Sequence, residues 1–204
     1  MIKVLSYGSG NVKAITNIYK RLNVPCEIAS TKEELMSAEK IIVPGVGAFD
    51  QTMLLLESSG MLDTLNSMVI DDQTPVLGVC VGMQVMANAS QEGERPGLGW
   101  IDGDVREFDT SALTHKPKLP HMGWNSISPQ KQLPILDGID IDKGFYFLHS
   151  YYFSCTNEEN SLTTSCYGIE FTSAVVSDNI YGFQFHPEKS HQNGITIFKN
   201  FWEL

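Results

Sequence analysis

The feature that most constrains this chain is a set of short, predominantly apolar runs with no regular polar alternation. "IKVLSY" at the start, "KIIVPG" from Lys40 and "TPVLGV" from Thr74 are the clearest. A strand with one face in water alternates apolar and polar residues, whereas a strand apolar throughout must be covered on both faces. Between these runs lie stretches with helical spacing. Val12, Ile15, Ile18 and Leu22 fall on one helix face, and "AFDQTMLLLESSG" and "MLDTLNSMVIDD" read as further helices. "VPCEIA" reads as another strand, and Ser30 with Glu33 as a capping box opening "TKEELMSA". This alternation implies an α/β fold with a mixed, mostly parallel central sheet flanked by helices. In such sheets ligands sit beyond the carboxyl ends of the strands.

From about residue 97 the pattern changes. "DVREF", "GWNSI", "GFYFLHSYYF" and "IYGFQF" are separated by Gly, Pro, Asn and Asp turns. They read as extra short antiparallel or mixed strands added to the same sheet in the C-terminal half, with a final helix in "QNGITIFKNFWEL". No linker or repeat divides the 204 residues, so a single domain over 1–204 is expected. The formal net charge of −10 argues against nucleic acid or an anionic membrane as the main partner. The N-terminal stretch lacks the features of a signal peptide, and no apolar run reaches membrane-spanning length, so a cytoplasmic location is expected. Cys26, Cys80, Cys155 and Cys166 form no Cys-x-x-Cys pair, which supports neither a zinc site nor a disulfide framework.

One cysteine stands apart. In "VLGVCVGMQVM", Gly78 and Gly82 flank Cys80 where a strand runs into a helix. Gly-x-nucleophile-x-Gly is the pattern of a sharp strand-to-helix elbow that holds a nucleophile in open space. A helix beginning there aims N–H groups and a positive dipole end at the sulfur, favouring the thiolate, and the Val81 N–H becomes an oxyanion donor. The motif alone fits a buried structural cysteine equally well. The second piece is "YGFQFHPEKS": His186 follows a strand, Pro187 stiffens the turn, and the Glu188 carboxylate bends back towards the imidazole. His149 and His121 are rival bases, while His115 and His191 sit in polar surroundings. In "VPGVGAF", Gly47 follows a strand and offers a second oxyanion N–H, although a plain turn explains it as well. "GSGN" lacks the third glycine of a dinucleotide loop, and Asp71-Asp72 and Asp140 with Asp142 read as solvated turns.

"PGVGAF", "GVCVGMQ" and "FHPEKS", in this order and spacing, resemble the class I (triad) glutamine amidotransferases over essentially the whole chain. The resemblance implies an α/β glutaminase with Cys80 as nucleophile, His186 as acid/base and Glu188 as its orienting partner. Gln84 and the Gly47 region would hold glutamine and the oxyanion, and His149, Ser150 and Tyr151 would grip its amino-acid end. No metal or cofactor is implied. "YGSGN", "PHMGWN" and "FYFLHSYY" are similar to the branch that supplies ammonia to a (β/α)8-barrel synthase (cyclase) subunit of the histidine pathway, as a heterodimer. His121, Met122, Gly123, Trp124, Asn125 and Lys189 would then face the partner. The same motifs resemble paralogues that feed sugar-amidating enzymes of surface polysaccharides. A cysteine peptidase-like hydrolase is the alternative from another class, and it lacks "HPEKS". Ser6, where the family usually has an acid, and Val81, where leucine is commoner, depart from the pattern.

Overall fold

The computed structural model describes residues 1–113 and 118–204; His115 lies outside them. The chain opens with strand β1 (Ile2–Leu5), helix α1 (Val12–Arg21), β2 (Cys26–Ala29), α2 (Lys32–Leu35) and β3 (Lys40–Gly45). Helices α3 (Phe49–Ser58) and α4 (Leu62–Asn66) follow, the latter widening into a π turn at Ser67–Asp71. Then come β4 (Val76–Cys80) and the one-turn helix α5 (Val81–Gln84). The second half is β5 (Ala89–Ser90), β6 (Gly103–Glu107), β7 (His121–Asn125), β8 (Ser128–Pro129), β9 (Phe145–His149) and β10 (Tyr151–Cys155). It closes with β11 (Ser161–Tyr167), β12 (Ile169–Ser177), β13 (Ile180–Phe183) and the terminal helix α6 (His191–Glu203).

The main sheet runs β2-β1-β3-β4-β13-β12-β10-β6-β5. Pairings from β2 to β13 are parallel; β13 to β12, β12 to β10 and β10 to β6 are antiparallel. The apolar runs explain the parallel half. Ile2, Val4, Ile42, Leu77 and Val79 join one core cluster with Ile15 and Tyr19 of α1 and Phe198 and Phe201 of α6. Leu5, Ile41, Val43 and Val76 join the cluster on the other face, with Met53 and Leu56 of α3 and Leu65 of α4. Burying a large aliphatic side chain contributes about 1.5–3 kcal/mol, so both faces of each strand hold their helices down.

Three details differ from expectation. The cap of α2 lies one residue later than Ser30: Thr31 accepts from the Glu34 N–H, and the Glu34 carboxylate accepts from the Ser30 N–H at 2.7 Å. "GWNSI" and the first half of "GFYFLHSYYF" do not join the main sheet. They give β7 and β9, an antiparallel pair of their own, with His121 opposite His149 and Trp124 opposite Tyr146. The long hairpin β11–β12, with β8 on its outer edge, carries hydroxyls where apolar residues would mark a strand. Thr163 and Ser173 are fully buried and hydrogen-bonded to each other at 2.8 Å.

Backbone packs closely against backbone where β3, β4 and α5 meet. A Cβ on Gly82 would sit 2.0 Å from the Val43 carbonyl oxygen, and one on Gly45 would sit 2.5 Å from the Gly82 nitrogen. The neighbours are backbone and cannot swing away. Gly82→Ala is therefore expected to destabilise the fold by about 1–3 kcal/mol, read as a lower urea midpoint with an unchanged slope. Gly60→Ala, whose Cβ would meet nothing within 4 Å, isolates the backbone cost of its positive φ from any clash.

Candidate active site

Strand register brings the two separated motifs together. β13 lies parallel to β4 with Phe183 beside Val79, so the chain leaving β13 emerges next to the elbow at Cys80. Phe185 anchors that exit: it is fully buried, stacked on Phe145 at 4.0 Å and on Phe183 at 4.9 Å, with Phe147 edge-on at 5.5 Å. The His186 N–H then donates to the Tyr146 carbonyl at 2.9 Å. Ser190 locks the turn, its hydroxyl donating to the His186 carbonyl at 2.6 Å and accepting from the Tyr146 N–H at 3.0 Å.

Cys80 is the elbow residue, with φ 56° and ψ −118°, a region an L side chain occupies only under constraint. It is 8% exposed, its thiol lies 3.9 Å from the Leu148 carbonyl oxygen, and it shares the cleft with His186. His186 Nδ1 lies 2.9 Å from Glu188 Oε1 in a pair almost wholly shielded from water. Burial pulls the imidazole pKa down, but the hydrogen bonds and charges of Cys80 and Glu188 outweigh it and raise it to about 10. Helix α5 is a single turn, so its dipole is smaller than the sequence implied. The charged group that interacts with the sulfur is His186.

A cleft of about 270 Å³ opens over the thiol. Val46, Gly47, Cys80, Gln84, Ser150 and His186 line it, as do Val81, His149 and Tyr151. Gly47 has a positive φ of 117° with open space around its α-carbon, so its backbone is bare towards the cleft. The neighbouring Val46 peptide is held on both sides by Ser9, whose hydroxyl accepts from the Val46 N–H at 2.8 Å and donates to its carbonyl at 2.9 Å. Gln84 Nε2 donates to the Tyr151 carbonyl at 3.0 Å and to Gln184 Oε1 at 2.9 Å. His149 is buried and hydrogen-bonded to the Tyr151 carbonyl, and burial and the neighbouring His121 pull its pKa down to about 3. Both of its ring nitrogens are engaged, Nδ1 with the Tyr151 carbonyl and Nε2 with His121 Nδ1 at 2.9 Å.

Two site residues went unread in the sequence. Glu92 is an acidic residue lining the cleft; its Oε2 accepts from the Phe49 N–H at 2.8 Å, capping α3. Gln184 is fully buried and directs Nε2 at Cys80 Sγ from 3.9 Å. Glu92 belongs to no motif. Gln184 lay inside "YGFQFHPEKS", at the end of a strand adjoining the elbow, which was a usable signal.

The expected partner-facing residues divide by strand alternation. Met122 is 61% exposed and Trp124 49% exposed on the outer face of β7. Trp124 stacks on His191 at 5.2 Å, and the Lys189 ammonium lies 5.6 Å from the Tyr146 ring centre. Gly123 and Asn125 are half-buried, and Asn125 donates to the Cys166 carbonyl at 2.9 Å. His121 is a correction: it is 3% exposed and stacked between Phe147 and Tyr167, so it faces the core. Among the described residues no helix is long and apolar enough to cross a membrane.

The model of the glutamine amidotransferase class-I family matches residues 3–204. The imidazole glycerol phosphate synthase subunit HisH of Bdellovibrio bacteriovorus is 52% identical over 204 residues, covering all of both chains. The subunit HisH 2 of Pseudomonas aeruginosa is 47% identical, again over the full length of both. A solved glutamine amidotransferase structure shares the fold with a TM-score of 0.74 at 19% identity, covering 99% of this chain and 97% of that one. An elbow cysteine paired with a buried His–Glu couple, on a chain matched from end to end, thus has one family to belong to: this protein is a class-I glutamine amidotransferase.

Proposed function

We propose that this chain, acting over 1–204 as one unit, is the glutaminase subunit of an imidazole glycerol phosphate synthase. The observation that supports it most is the meeting of Cys80, His186 and Glu188 above an otherwise closed core. The Cys80 thiolate attacks the side-chain amide carbon of L-glutamine, and the negative charge that develops on oxygen is met by the N–H groups of Val81 and Gly47. The His186 proton passes to the departing nitrogen, ammonia leaves, and a γ-glutamyl thioester remains. Water, deprotonated by His186, hydrolyses the thioester to glutamate and restores the thiol. Glu188 fixes the ring and its charge. Ser150 and Tyr151 hold the amino-acid end with Gln84, and the Glu92 carboxylate is the counter-charge in reach of the substrate ammonium.

The ammonia passes to a cyclase subunit of (β/α)8-barrel type, docked through Met122, Trp124 and Lys189 as a heterodimer. That subunit makes imidazole glycerol phosphate and an aminoimidazole carboxamide ribonucleotide in histidine biosynthesis. The Ser9 clasp on the Val46 peptide keeps that N–H from a developing oxyanion, so docking has a segment to rearrange. Glutaminase turnover is expected to be weak for the chain alone and to rise when its cyclase is added; full turnover without the partner would refute this coupling. Stimulation by a sugar-amidating enzyme instead would keep the glutaminase and remove the pathway.

Two further outcomes are expected. Cys80→Ala abolishes glutamine hydrolysis in the complex, while Glu188→Gln lowers kcat by about 10²- to 10⁴-fold, with melting temperatures checking both folds. The raised His186 pKa also sets a pH window. Its folded pKa of about 10 exceeds its reference value of 6.5, so its contribution to stability is complete below about pH 6.5 and is lost as pH rises through 10. Thermal midpoints between pH 7 and 10 should fall more steeply for the wild type than for His186→Gln.

A further inference from the structure

Strand β7 turns one residue in for each it turns out, and the inward one leads to the cleft. His121 Nδ1 lies 2.9 Å from His149 Nε2, and both rings are buried. The order of protons along this contact follows from its ends. His149 Nδ1 is 2.8 Å from the Tyr151 carbonyl, which only accepts, so Nδ1 carries the hydrogen. The neutral ring then has a bare Nε2, so His121 Nδ1–H donates to it. His121 Nε2 is left to accept, and Asn125 Nδ2 stands 3.3 Å away. The series runs one way: Asn125 to His121 to His149 to the Tyr151 oxygen. That oxygen also takes the Gln84 amide, which is bonded in turn to Gln184 behind the Cys80 sulfur.

We propose that His121 and His149 are positioning residues: a buried imidazole pair that fixes the Tyr151 carbonyl, and with it the Ser150–Tyr151 backbone facing the substrate, to the strand that meets the partner. The proposal rests on the glutaminase reading above. Packing alone does not call for two imidazoles here. Phe108, Phe147 and Phe171 surround them, and a phenyl ring fills the same space without burying polar nitrogens. What an imidazole adds is a directional bond at each end. Met122 and Trp124 leave the same strand on the opposite face, so a displacement of β7 on docking moves His121 and, through a single rigid contact, the carbonyl at the cleft. Burial and the neighbouring His121 lower the His149 pKa to about 3, which keeps that ring neutral.

The test is steady-state kinetics of the complex with its cyclase, for the wild type, His121→Phe and His121→Asn. Phenylalanine keeps a ring and loses the donor; asparagine keeps an N–H near the Nδ1 position and loses the ring. His121→Phe should raise KM for glutamine about ten-fold, as expected for one lost buried hydrogen bond, with kcat within about three-fold. His121→Asn should recover most of that KM. Alkylation of Cys80 by iodoacetamide, which needs no glutamine pocket, should be unchanged in both. A wild-type KM in His121→Phe, or an equal loss in both variants, overturns the proposal while leaving the glutaminase intact. A wild-type complex that never turns over glutamine overturns the glutaminase reading itself and the proposal with it. Should His121→Phe not fold, nitrogen-15 spectra of the wild-type complex decide: hydrogen on Nδ1 of both rings supports the pair, and hydrogen on His149 Nε2 refutes it.

Discussion

The parallel pairing of β13 with β4 is the contact on which the site depends. Each strand delivers one residue of the candidate site at its carboxyl end, Cys80 directly and His186 three residues beyond Phe183. In a sheet a slip of one residue turns every side chain to the other face, so the register also fixes which groups meet. Phe145, Phe147, Phe183 and Phe185 hold that register beyond the last ladder bond, each aromatic contact adding about 0.5–1.5 kcal/mol over its buried area. The site is assembled late in the chain from an early elbow, and aromatic packing makes the two ends one rigid body.

Much of this was legible because it is local. Strands apolar on both faces announced the parallel half, and glycines two residues either side of Cys80 announced the elbow, since close backbone approach leaves room for nothing else. His186 and Glu188 were readable for a similar reason: two residues apart at a proline-stiffened turn, they had few ways to miss each other. What stayed hidden depends on contacts distant in sequence. The β11–β12 hairpin buries hydroxyls that satisfy one another, so its inner face carries no apolar stripe. The chain changes partner at Ser150, β9 pairing with β7 and β10 with β12 and β6, a choice no local pattern marks. The cap of α2 slipped by one residue because Ser30 and Thr31 are adjacent residues that both cap helices.

His121 shows how strand alternation divides residues that the sequence presents as one patch. "PHMGWN" reads as one interface patch, yet as a strand it must alternate. Met122 and Trp124 face out, and His121 and Asn125 are drawn into the hydrogen-bonded interior. The same six residues therefore serve two environments, which is why a strand stands there and not a loop. Buried polar groups of this kind are tolerated only when each has a partner.

The positive φ at Cys80 has a consequence for the molecule as a whole. A side chain held in so sparsely populated a region of backbone space costs roughly 1–3 kcal/mol, and the cost is borne in every folded copy whether or not it is at work. A bare α-carbon there would relieve that strain but give up the sulfur's place in the core. Thermodynamic robustness and chemical competence thus pull in opposite directions at a single atom, and this chain has settled in favour of the atom.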